Sequence, residues 1–460
     1  MRILRPSALV LIGLIAATGC ATNRPASTAP AAPVLPASFS PQQLADTWDR
    51  ERVSWPVPPL VRHADIESRL REEQRATPDL FRLEEIGTSV EGRSINHIWF
   101  GRGPYHVMLW SQMHGDEPTA TSALFDLLEQ FRRHRADPPF ARMLDALTIH
   151  IVPMLNPDGA ERFQRRNAQG IDINRDALRL QTPEGRALKA LRDRLNAPIG
   201  FNLHNQSWRT SAGNTGQPAS ITLLSVAFDE ARTESPGRIL TKKTSVLIRD
   251  ALEPLAPGRI ARYDDEYEVR AFGDNLTKWG TSVVLIETGP WPAAEPDPYL
   301  VRLNFVALMT ALDGLATGRV ELADKRRYDS LPINETDLFY LIVRNATVIP
   351  GTGVAPFTAD IGIVANRIVR MVDGTRETRL VARFEDLGDL SVMSALESVD
   401  ATGLFVAPLW DPGIKAGDVV ALPDFAAERA PRVIAQGEIA ELVILRRIGE
   451  GYRVERVIRY

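Results

Sequence analysis

Two patterns follow one another along this chain, and they constrain its fold more than any other feature. From about residue 94 to residue 315, short apolar runs such as His106 to Trp110 alternate with longer stretches of helical spacing such as Pro118 to Arg133. This alternation predicts an α/β domain of three layers, with a mixed sheet and helices on both faces. After about residue 330, short strands separated by Gly and Pro turns predict a smaller, all-β, sandwich-like domain.

The same patterns divide the chain into five predicted segments. A signal peptide occupies residues 1–19 and a flexible tether, rich in Ala, Pro, Ser and Thr, occupies residues 20–40. The α/β domain follows at residues 41–320, beginning with a helical stretch from Ser40 to Arg75. A charged linker at residues 321–336 leads to the β-sandwich-like domain at residues 337–460.

The N-terminus has the features of an export signal. A basic start precedes a ten-residue apolar run from Ala8 to Ala17, which is too short to span a membrane and is followed by Thr18, Gly19 and Cys20. The ending resembles a bacterial lipobox, which implies that Cys20 is lipidated and anchors the mature chain. Ala21 resembles the sorting pattern of Gram-negative outer-membrane lipoproteins, so the expected location is the outer membrane, facing the periplasm. The alternative is an ordinary signal peptide with an incidental cysteine.

Composition excludes several functional classes. The net charge is −4 and no basic run is present, so nucleic acid is not an expected partner. The single cysteine excludes an internal disulfide framework and any metal site made of several cysteines. All seven histidines lie within the first 204 residues, so the C-terminal half cannot supply an imidazole ligand.

Two histidines in polar surroundings are candidate metal ligands. His114 and His204 each follow a predicted strand, and open α/β sheets bind ligands beyond the carboxyl ends of their strands. Glu117 lies three residues after His114, and hydrolytic zinc sites use about three such ligands. The other histidines receive structural interpretations: His63, His97 and His134 as surface-loop residues, and His106 and His150 as residues packed within strands.

Further motifs follow in a defined order. Asn156-Pro157-Asp158-Gly159 comes after a strand, a run from Arg165 to Asp176 follows it, and Ile286-Glu287-Thr288-Gly289 lies 83 residues beyond His204. Together with Gly87 to Arg93, these motifs resemble the M14 zinc carboxypeptidase family over about residues 41–318. The resemblance implies a metallocarboxypeptidase with one zinc ion per chain, which hydrolyses the C-terminal bond of peptides that carry a free C-terminal carboxylate.

The resemblance also assigns roles to individual residues. His114, Glu117 and His204 match the zinc ligands, and Glu287 matches the general base. His₂Glu ligation is the arrangement known from carboxypeptidase A. The remaining matches are Arg165 for stabilisation of the oxyanion, with Arg162 and Arg166 as rivals, and Asn174 and Arg175 for the substrate carboxylate.

Some positions stay open at this point. Neither Tyr263 nor Tyr267 aligns with confidence to the tyrosine that covers the bound carboxylate in digestive members of the family. Asp274 could favour a basic substrate side chain or could be a structural turn residue. The C-terminal part resembles the small β domain of amidohydrolases without its barrel, which suggests a packing or partner surface. Two alternative functions remain: a cell-wall muropeptide peptidase of the same fold, and a non-catalytic peptide-binding lipoprotein.

Overall fold

The computed structural model describes residues 35–53, 61–293, 297–373, 375–425, 427 and 430–460. The predicted signal peptide and the predicted lipid anchor Cys20 lie outside the described residues. Within them, the order of elements follows the expectation, with alternating strands and helices first and strands alone afterwards.

The α-helices of the described residues all lie before residue 330. They are α1 Pro41–Glu51, α2 His63–Ala76, α3 Thr119–His134, α4 Pro138–Ala146, α5 Pro157–Arg162, α6 Pro183–Leu195, α7 Pro236–Leu252, α8 Phe272–Lys278, α9 Asp297–Ala316 and α10 Arg326–Asp329.

The strands of the first two thirds of the chain are β1 Arg82–Thr88, β2 Ser94–Gly101, β3 Tyr105–Ser111, β4 Leu147–Val152, β5 Ile199–Asn205, β6 Thr210–Ala212, β7 Ile221–Ser225, β8 Ile260–Arg262 and β9 Ser282–Thr288. Those of the last third are β10 Asn334–Thr336, β11 Phe339–Val348, β12 Phe357–Val372, β13 Thr375–Gly388, β14 Ala395–Asp400, β15 Phe405–Pro408, β16 Val419–Val420, β17 Leu442–Ile448 and β18 Gly451–Ile458.

The first sheet has eight strands in the order β1-β2-β4-β3-β5-β9-β7-β8. Its centre, β4-β3-β5-β9, is parallel, whereas the β1/β2, β2/β4 and β7/β9 pairs are antiparallel. The predicted mixed sheet is therefore confirmed. Because β3, β5 and β9 are neighbours, the residues at their carboxyl ends meet at one edge of the sheet.

Both faces of this sheet are buried, as the alternation along β3 illustrates. Val107 and Leu109 belong to a core formed with helices that include α3, α7 and α9. Met108 and Trp110 point to the other face and pack in a second core with α6 and α8. Successive side chains of a strand leave on opposite faces, so one strand serves two helical layers. This is the predicted three-layer arrangement.

The first helical stretch starts at the predicted residue but is divided in two. Ser40 caps α1, because its hydroxyl accepts the Gln43 amide at 3.1 Å while the Gln43 side chain accepts the Ser40 amide. The structure ends α1 at Glu51 and begins α2 at His63, where one helix to Arg75 was expected. The sequence between them contains three prolines, which disfavour a helix.

Helix α9 is the one described helix that is long and apolar enough to cross a membrane by length and composition. It has 20 residues, and 78% of its most apolar window is buried inside the protein. Its side chains pack in the core beside α3 and α7, which accounts for its hydropathy.

A row of hydrogen-bonded histidines crosses the first sheet and corrects one expectation. His97, expected in a surface loop, lies in β2 and is only 2% exposed. Its Nδ1 contacts the carboxylate of Glu84 at 2.9 Å and its Nε2 contacts His150 Nδ1 at 3.0 Å. His150 Nε2 in turn contacts His106 Nδ1 at 2.9 Å. Each buried ring nitrogen in this histidine ladder therefore has a polar partner, which is why the side chains can be buried.

The C-terminal strands form a second sheet in the order β13-β12-β11-β15-β17-β18-β16, with β14 also paired to β11. A bridge between Arg383 and Ile439 links the β13 edge to the segment before β17. The predicted all-β character is confirmed. The segment expected as a linker contains α10 and β10, and β10 pairs with β6 beside the first sheet. Because residues 34–460 form one compact unit, the domain boundary stays a prediction.

Candidate metal centre and substrate cleft

Three neighbouring strands position the candidate ligands and base. His114 lies in the loop after β3, Glu117 precedes α3, His204 lies near the end of β5, and Glu287 lies near the end of β9. His204 and Glu287 are directly opposite each other in the β5/β9 register. The sheet topology thus brings together residues separated by up to 173 positions in the sequence, since 287 − 114 = 173.

The three expected ligands meet at one buried point. His114 Nδ1 lies 2.8 Å from one carboxylate oxygen of Glu117, and His204 Nδ1 lies 2.7 Å from the other. The two Nδ1 atoms are 3.1 Å apart, and one ligand atom from each of the three residues lies within 4.8 Å of the others. All three side chains are buried. Two imidazoles and one carboxylate form the donor set of a hydrolytic zinc site.

The electrostatics of this point also suit a cation. Burial alone would lower the pKa of His114, but the carboxylates of Glu117 and Asp172 raise it to about 9. Burial acts to raise the pKa of Glu117, yet the neighbouring His114 and His204 hold it well below its usual range. The buried Glu117 carboxylate is therefore negatively charged and attracts a cation. The three residues thus fit a divalent metal ion.

A close approach of two glycines shapes the ligand loop. A Cβ atom on Gly115 would lie 2.0 Å from the backbone of Gly159, a distance that no real side chain tolerates. Gly159 belongs to the Asn156-Pro157-Asp158-Gly159 motif, in which the Asn156 side chain accepts the Gly159 amide at 2.9 Å. The Asn156-Pro157-Asp158-Gly159 motif therefore packs against the loop that carries His114. This contact gives a structural reason for the place of the motif after β4.

Glu287 faces the same point from β9. Its side chain is half-buried, and within the described residues its buried Oε2 atom has no hydrogen-bond partner. Burial and the negative charge of Glu117 raise the pKa of Glu287 above its ordinary value. A carboxylate oxygen buried without a partner is costly, and such groups concentrate at functional sites.

Arg165 is the arginine that reaches the ligands. Its Nη1 lies 3.0 Å from His114 Nδ1 and 3.5 Å from Glu117. The rivals point elsewhere: Arg162 binds Glu91, and Arg166 donates to the carbonyl of Gly170 at 3.1 Å. The geometry therefore selects Arg165 among the three candidates.

Asp172 is a site residue that sequence reasoning left without a role. One of its oxygens lies 3.1 Å from His114 Nε2, and the other accepts from Arg165 at 2.9–3.0 Å. Metal-binding histidines commonly donate their second N–H to a carboxylate, which fixes the ring. The available signal was its place in the run from Gly170 to Arg175, two residues before the expected carboxylate-binding residue Asn174.

Asn174 and Arg175 line a cavity of about 320 Å³ that also contains His114 and Glu287. The Asn174 side-chain oxygen accepts the Phe272 amide at 2.9 Å, which holds the residue in place. The exposed Arg175 is 3.3 Å from Glu268 through its Nε. Its guanidinium is therefore accessible beside the metal point, the place where His114, Glu117 and His204 meet. A carboxylate-binding group has to be accessible in this way.

The cavity also answers part of the questions left open by the sequence. Tyr263 lines it with a side chain that is 41% exposed. Asp274 lines the cavity too, but it lies in the first turn of α8, where its oxygen accepts the Glu268 amide at 2.9 Å and so has a structural role as well. Burial raises the pKa of Asp274 to about 7.

A second cavity of about 330 Å³ adjoins the first on the other side of Glu117. The two cavities share the lining residues Arg165, Asn205, Gln206 and Ser207. The second cavity extends to Trp208, to the start of α9 and to β12. Together they form one cleft with the metal point near its middle.

Comparison with known proteins agrees with this geometry. The profile of the family Peptidase_M14, described as zinc carboxypeptidase, matches residues 66–233. This segment contains the three ligands, Arg165, Asn174 and Arg175, whereas Glu287 lies beyond it.

Several carboxypeptidases are similar in sequence. Carboxypeptidase E of Caenorhabditis elegans is 34% identical over 134 residues, which cover 25% of this chain and 28% of that protein. Probable carboxypeptidase 2 of Arthroderma benhamiae is 28% identical over 221 residues, which cover 46% of this chain and 38% of that protein. The chain thus spans well under half the length of these relatives.

Among solved structures, carboxypeptidase A of Helicoverpa armigera is similar with a TM-score of 0.46 and 14% identity, over 60% of this chain and 80% of that chain. The family match at residues 66–233 is the stronger finding, and within it the donor set His114, Glu117 and His204 is present and assembled. Residues 66–233 of this chain therefore match the M14 zinc carboxypeptidase family, and the three ligands lie within the match.

Proposed function

We propose that the chain is a zinc-dependent metallocarboxypeptidase that removes the C-terminal residue of peptides. The observation that carries the proposal is the buried meeting point of His114, Glu117 and His204, with Glu287 facing it from the next strand. Arg175 and Asn174 in the adjoining cavity support cleavage at a free C-terminus, because a guanidinium pairs with a carboxylate through two parallel hydrogen bonds.

The proposed chemistry divides among the residues of the cleft. A zinc ion held by the three ligands supplies Lewis-acid activation of water and of the scissile carbonyl. Glu287 accepts a proton from the attacking water and gives it to the leaving amine. Arg165 stabilises the negative charge that develops on the carbonyl oxygen. Arg175 and Asn174 hold the substrate carboxylate so that the last peptide bond lies beside Glu287.

Two alternatives compete with this proposal. A muropeptide peptidase would use the same residues on cell-wall peptides, which also end in a carboxylate. A non-catalytic binder would need the ligands or the base to be lost or displaced, whereas the geometry brings all four together. The assembled site favours catalysis, and the peptide library below includes muropeptides to separate the two substrate classes.

Glu287→Gln tests the proposal. We expect the zinc-loaded variant to keep about one zinc ion per chain and to lose about 10²–10⁴-fold in kcat on C-terminally varied peptides and muropeptides. Glu230→Gln, at an exposed position away from the cleft, is the matched control. Full turnover by Glu287→Gln would remove the base, and a zinc-loaded parent chain that cleaves nothing would favour the binding protein.

We further propose that the chain is exported and anchored through a lipid on Cys20 in the outer membrane, facing the periplasm. The support is the N-terminal sequence pattern alone, since Cys20 lies outside the described residues. Metabolic labelling with a radioactive fatty acid should mark the wild-type chain and leave Cys20→Ala unlabelled. Recovery of unlabelled wild-type protein in the soluble fraction would contradict the anchor.

A further inference from the structure

The cleft ends at a wall that comes from the C-terminal sheet. The cavity next to Glu117 is lined on its far side by Asn366 and Arg367 of β12. Another cavity, of about 320 Å³, lies beyond them and is lined by aromatic residues including Trp291 and Tyr340. The two cavities have only Trp208 and Arg367 in common among their lining residues. These two side chains thus lie where the metal cleft adjoins this further cavity.

Arg367 is held in this position by two contacts. Its guanidinium pairs with the carboxylate of Asp297, the first residue of α9, at 3.0 and 3.2 Å. It also lies over the ring of Trp208, 5.2 Å from the centroid. The side chains of Arg367 and Asp297 are only 17% and 16% exposed, so water screens the pair weakly. A charge pair combined with a cation–π contact keeps a long side chain in one geometry.

The hairpin of β12 and β13, which carries Arg367, is held by a second ion pair. Arg376, on the returning strand β13, pairs with Glu161 of α5 at 3.2 Å. Arg376 is opposite Met371 in the β12/β13 register, four residues beyond Arg367. At about 3.3 Å per residue, the two fastening points lie about 13 Å apart along the hairpin. Asp297 lines the cleft, and α5 leads into Phe163, which lines it as well, so the hairpin spans two of its walls.

The direction of the substrate follows from the carboxylate-binding residues. Asn174 and Arg175 line the cavity on one side of the metal point, so the C-terminal residue of a substrate lies there. The residues before the scissile bond then occupy the cavity beside Glu117, which ends at Arg367. That cavity lies at the low end of the range of about 300–1,000 Å³ typical of small-molecule sites.

We propose that Arg367, fixed by Asp297 and Trp208, closes the cleft on the N-terminal side of the scissile bond, so that the enzyme selects short peptides over long ones. This inference rests on the proposed carboxypeptidase function. Substrates long enough to continue past Arg367 toward the cavity lined by Trp291 and Tyr340 would have to displace Arg367 and break its ion pair. Loss of this contact would let them reach the cavity lined by Trp291 and Tyr340.

The test is a series of N-acetylated peptides with one shared C-terminal dipeptide and increasing length, from dipeptide to decapeptide. For the zinc-loaded wild type we expect kcat/KM to fall by at least about tenfold between the tripeptide and the decapeptide. A tenfold fall corresponds to an activation free energy that is higher by about 1.4 kcal/mol. Arg367→Ala should raise the decapeptide-to-tripeptide ratio by at least about tenfold. Arg446→Ala, which breaks an exposed ion pair in the same sheet, should leave the ratio unchanged.

Arg376→Ala provides a second variant, since it removes only the other fastening point and should raise the same ratio to a smaller extent. Equal cleavage of all lengths by the wild type, or an unchanged ratio in both variants, would overturn the inference while leaving the carboxypeptidase function intact. A wild-type chain that binds zinc and cleaves no peptide of any length would instead contradict the proposed function and the inference with it.

Discussion

The carboxylate of Asp172 connects two residues with different tasks in the site. It contacts His114 through one oxygen and Arg165 through the other, so it fixes the ring of a ligand and the direction of a guanidinium together. Sequence comparison assigns roles to the groups that touch metal or substrate. The contact of Asp172 becomes visible only when the loop after β3 and the run from Gly170 to Arg175 are seen side by side.

Asp172→Asn should weaken zinc binding by about 10–100-fold, because the amide is a poorer acceptor for the His114 N–H and no longer pairs with Arg165. Competition with a zinc chelator of known affinity measures the change directly. Asp193→Asn, which alters an exposed carboxylate on α6, is the control. Wild-type affinity in Asp172→Asn would mean that Asp172 does not orient the ligand.

Arg175→Ala should impair substrates with a free C-terminus far more than the same peptides with an amidated C-terminus, because only the free carboxylate pairs with the guanidinium. The ratio of kcat/KM for the two substrate forms is the measurement, with the exposed Arg179→Ala as the control. A proportional loss on both forms would show that Arg175 does not bind the carboxylate.

At the level of elements, the sequence predicts the strands that build the site. The strand expected at His106 to Trp110 is observed at Tyr105–Ser111, and the strand expected before His204 is observed as β5, because continuous apolar runs between turn residues mark buried strands. The sequence did not predict β1, β13 or β14. These strands carry many charged residues and are partly exposed, so their pattern is weak.

The histidine ladder shows a limit of the same reasoning. Its histidines come from three different strands, so no local pattern reveals that they meet. If His97 Nδ1 donates to Glu84, a neutral His97 accepts from His150, and a neutral His150 accepts from His106. This chain of donors and acceptors requires uncharged rings at its centre.

The ladder predicts acid sensitivity. Burial lowers the pKa of His97 to about 4 and that of His150 to about 3, below the unfolded value of 6.5. Between about pH 6.5 and pH 4 the unfolded chain therefore binds more protons, so the free energy of unfolding falls as the pH falls. Each group contributes up to about 1.4 kcal/mol per pH unit.

Urea denaturation of the metal-free chain across this pH range measures the slope. His150→Phe keeps a ring that can stack between His97 and His106 but cannot titrate, so we expect a chain that is less stable at pH 7 and has a shallower slope. A slope identical to that of the wild type would show that the ladder does not couple protons to folding.

At the scale of the whole molecule, the cleft is built by both sheets. Arg367 lies 163 residues beyond His204, since 367 − 204 = 163, and it nevertheless forms the end of the same cleft. The sequence predicts a region of alternating strands and helices followed by a region of strands alone, and both the mixed sheet and the all-β sheet are confirmed. It does not predict their contact, because an ion pair such as Arg367 with Asp297 leaves no periodic signal in either partner.

The central claim is that one zinc ion is shared by His114, Glu117 and His204, and metal analysis of the purified mature chain tests it most directly. After exposure to zinc and removal of the excess, we predict about one zinc ion per wild-type chain and far less in a folded His204→Ala variant. A wild-type chain without zinc, or the same zinc content in both proteins, would contradict the account.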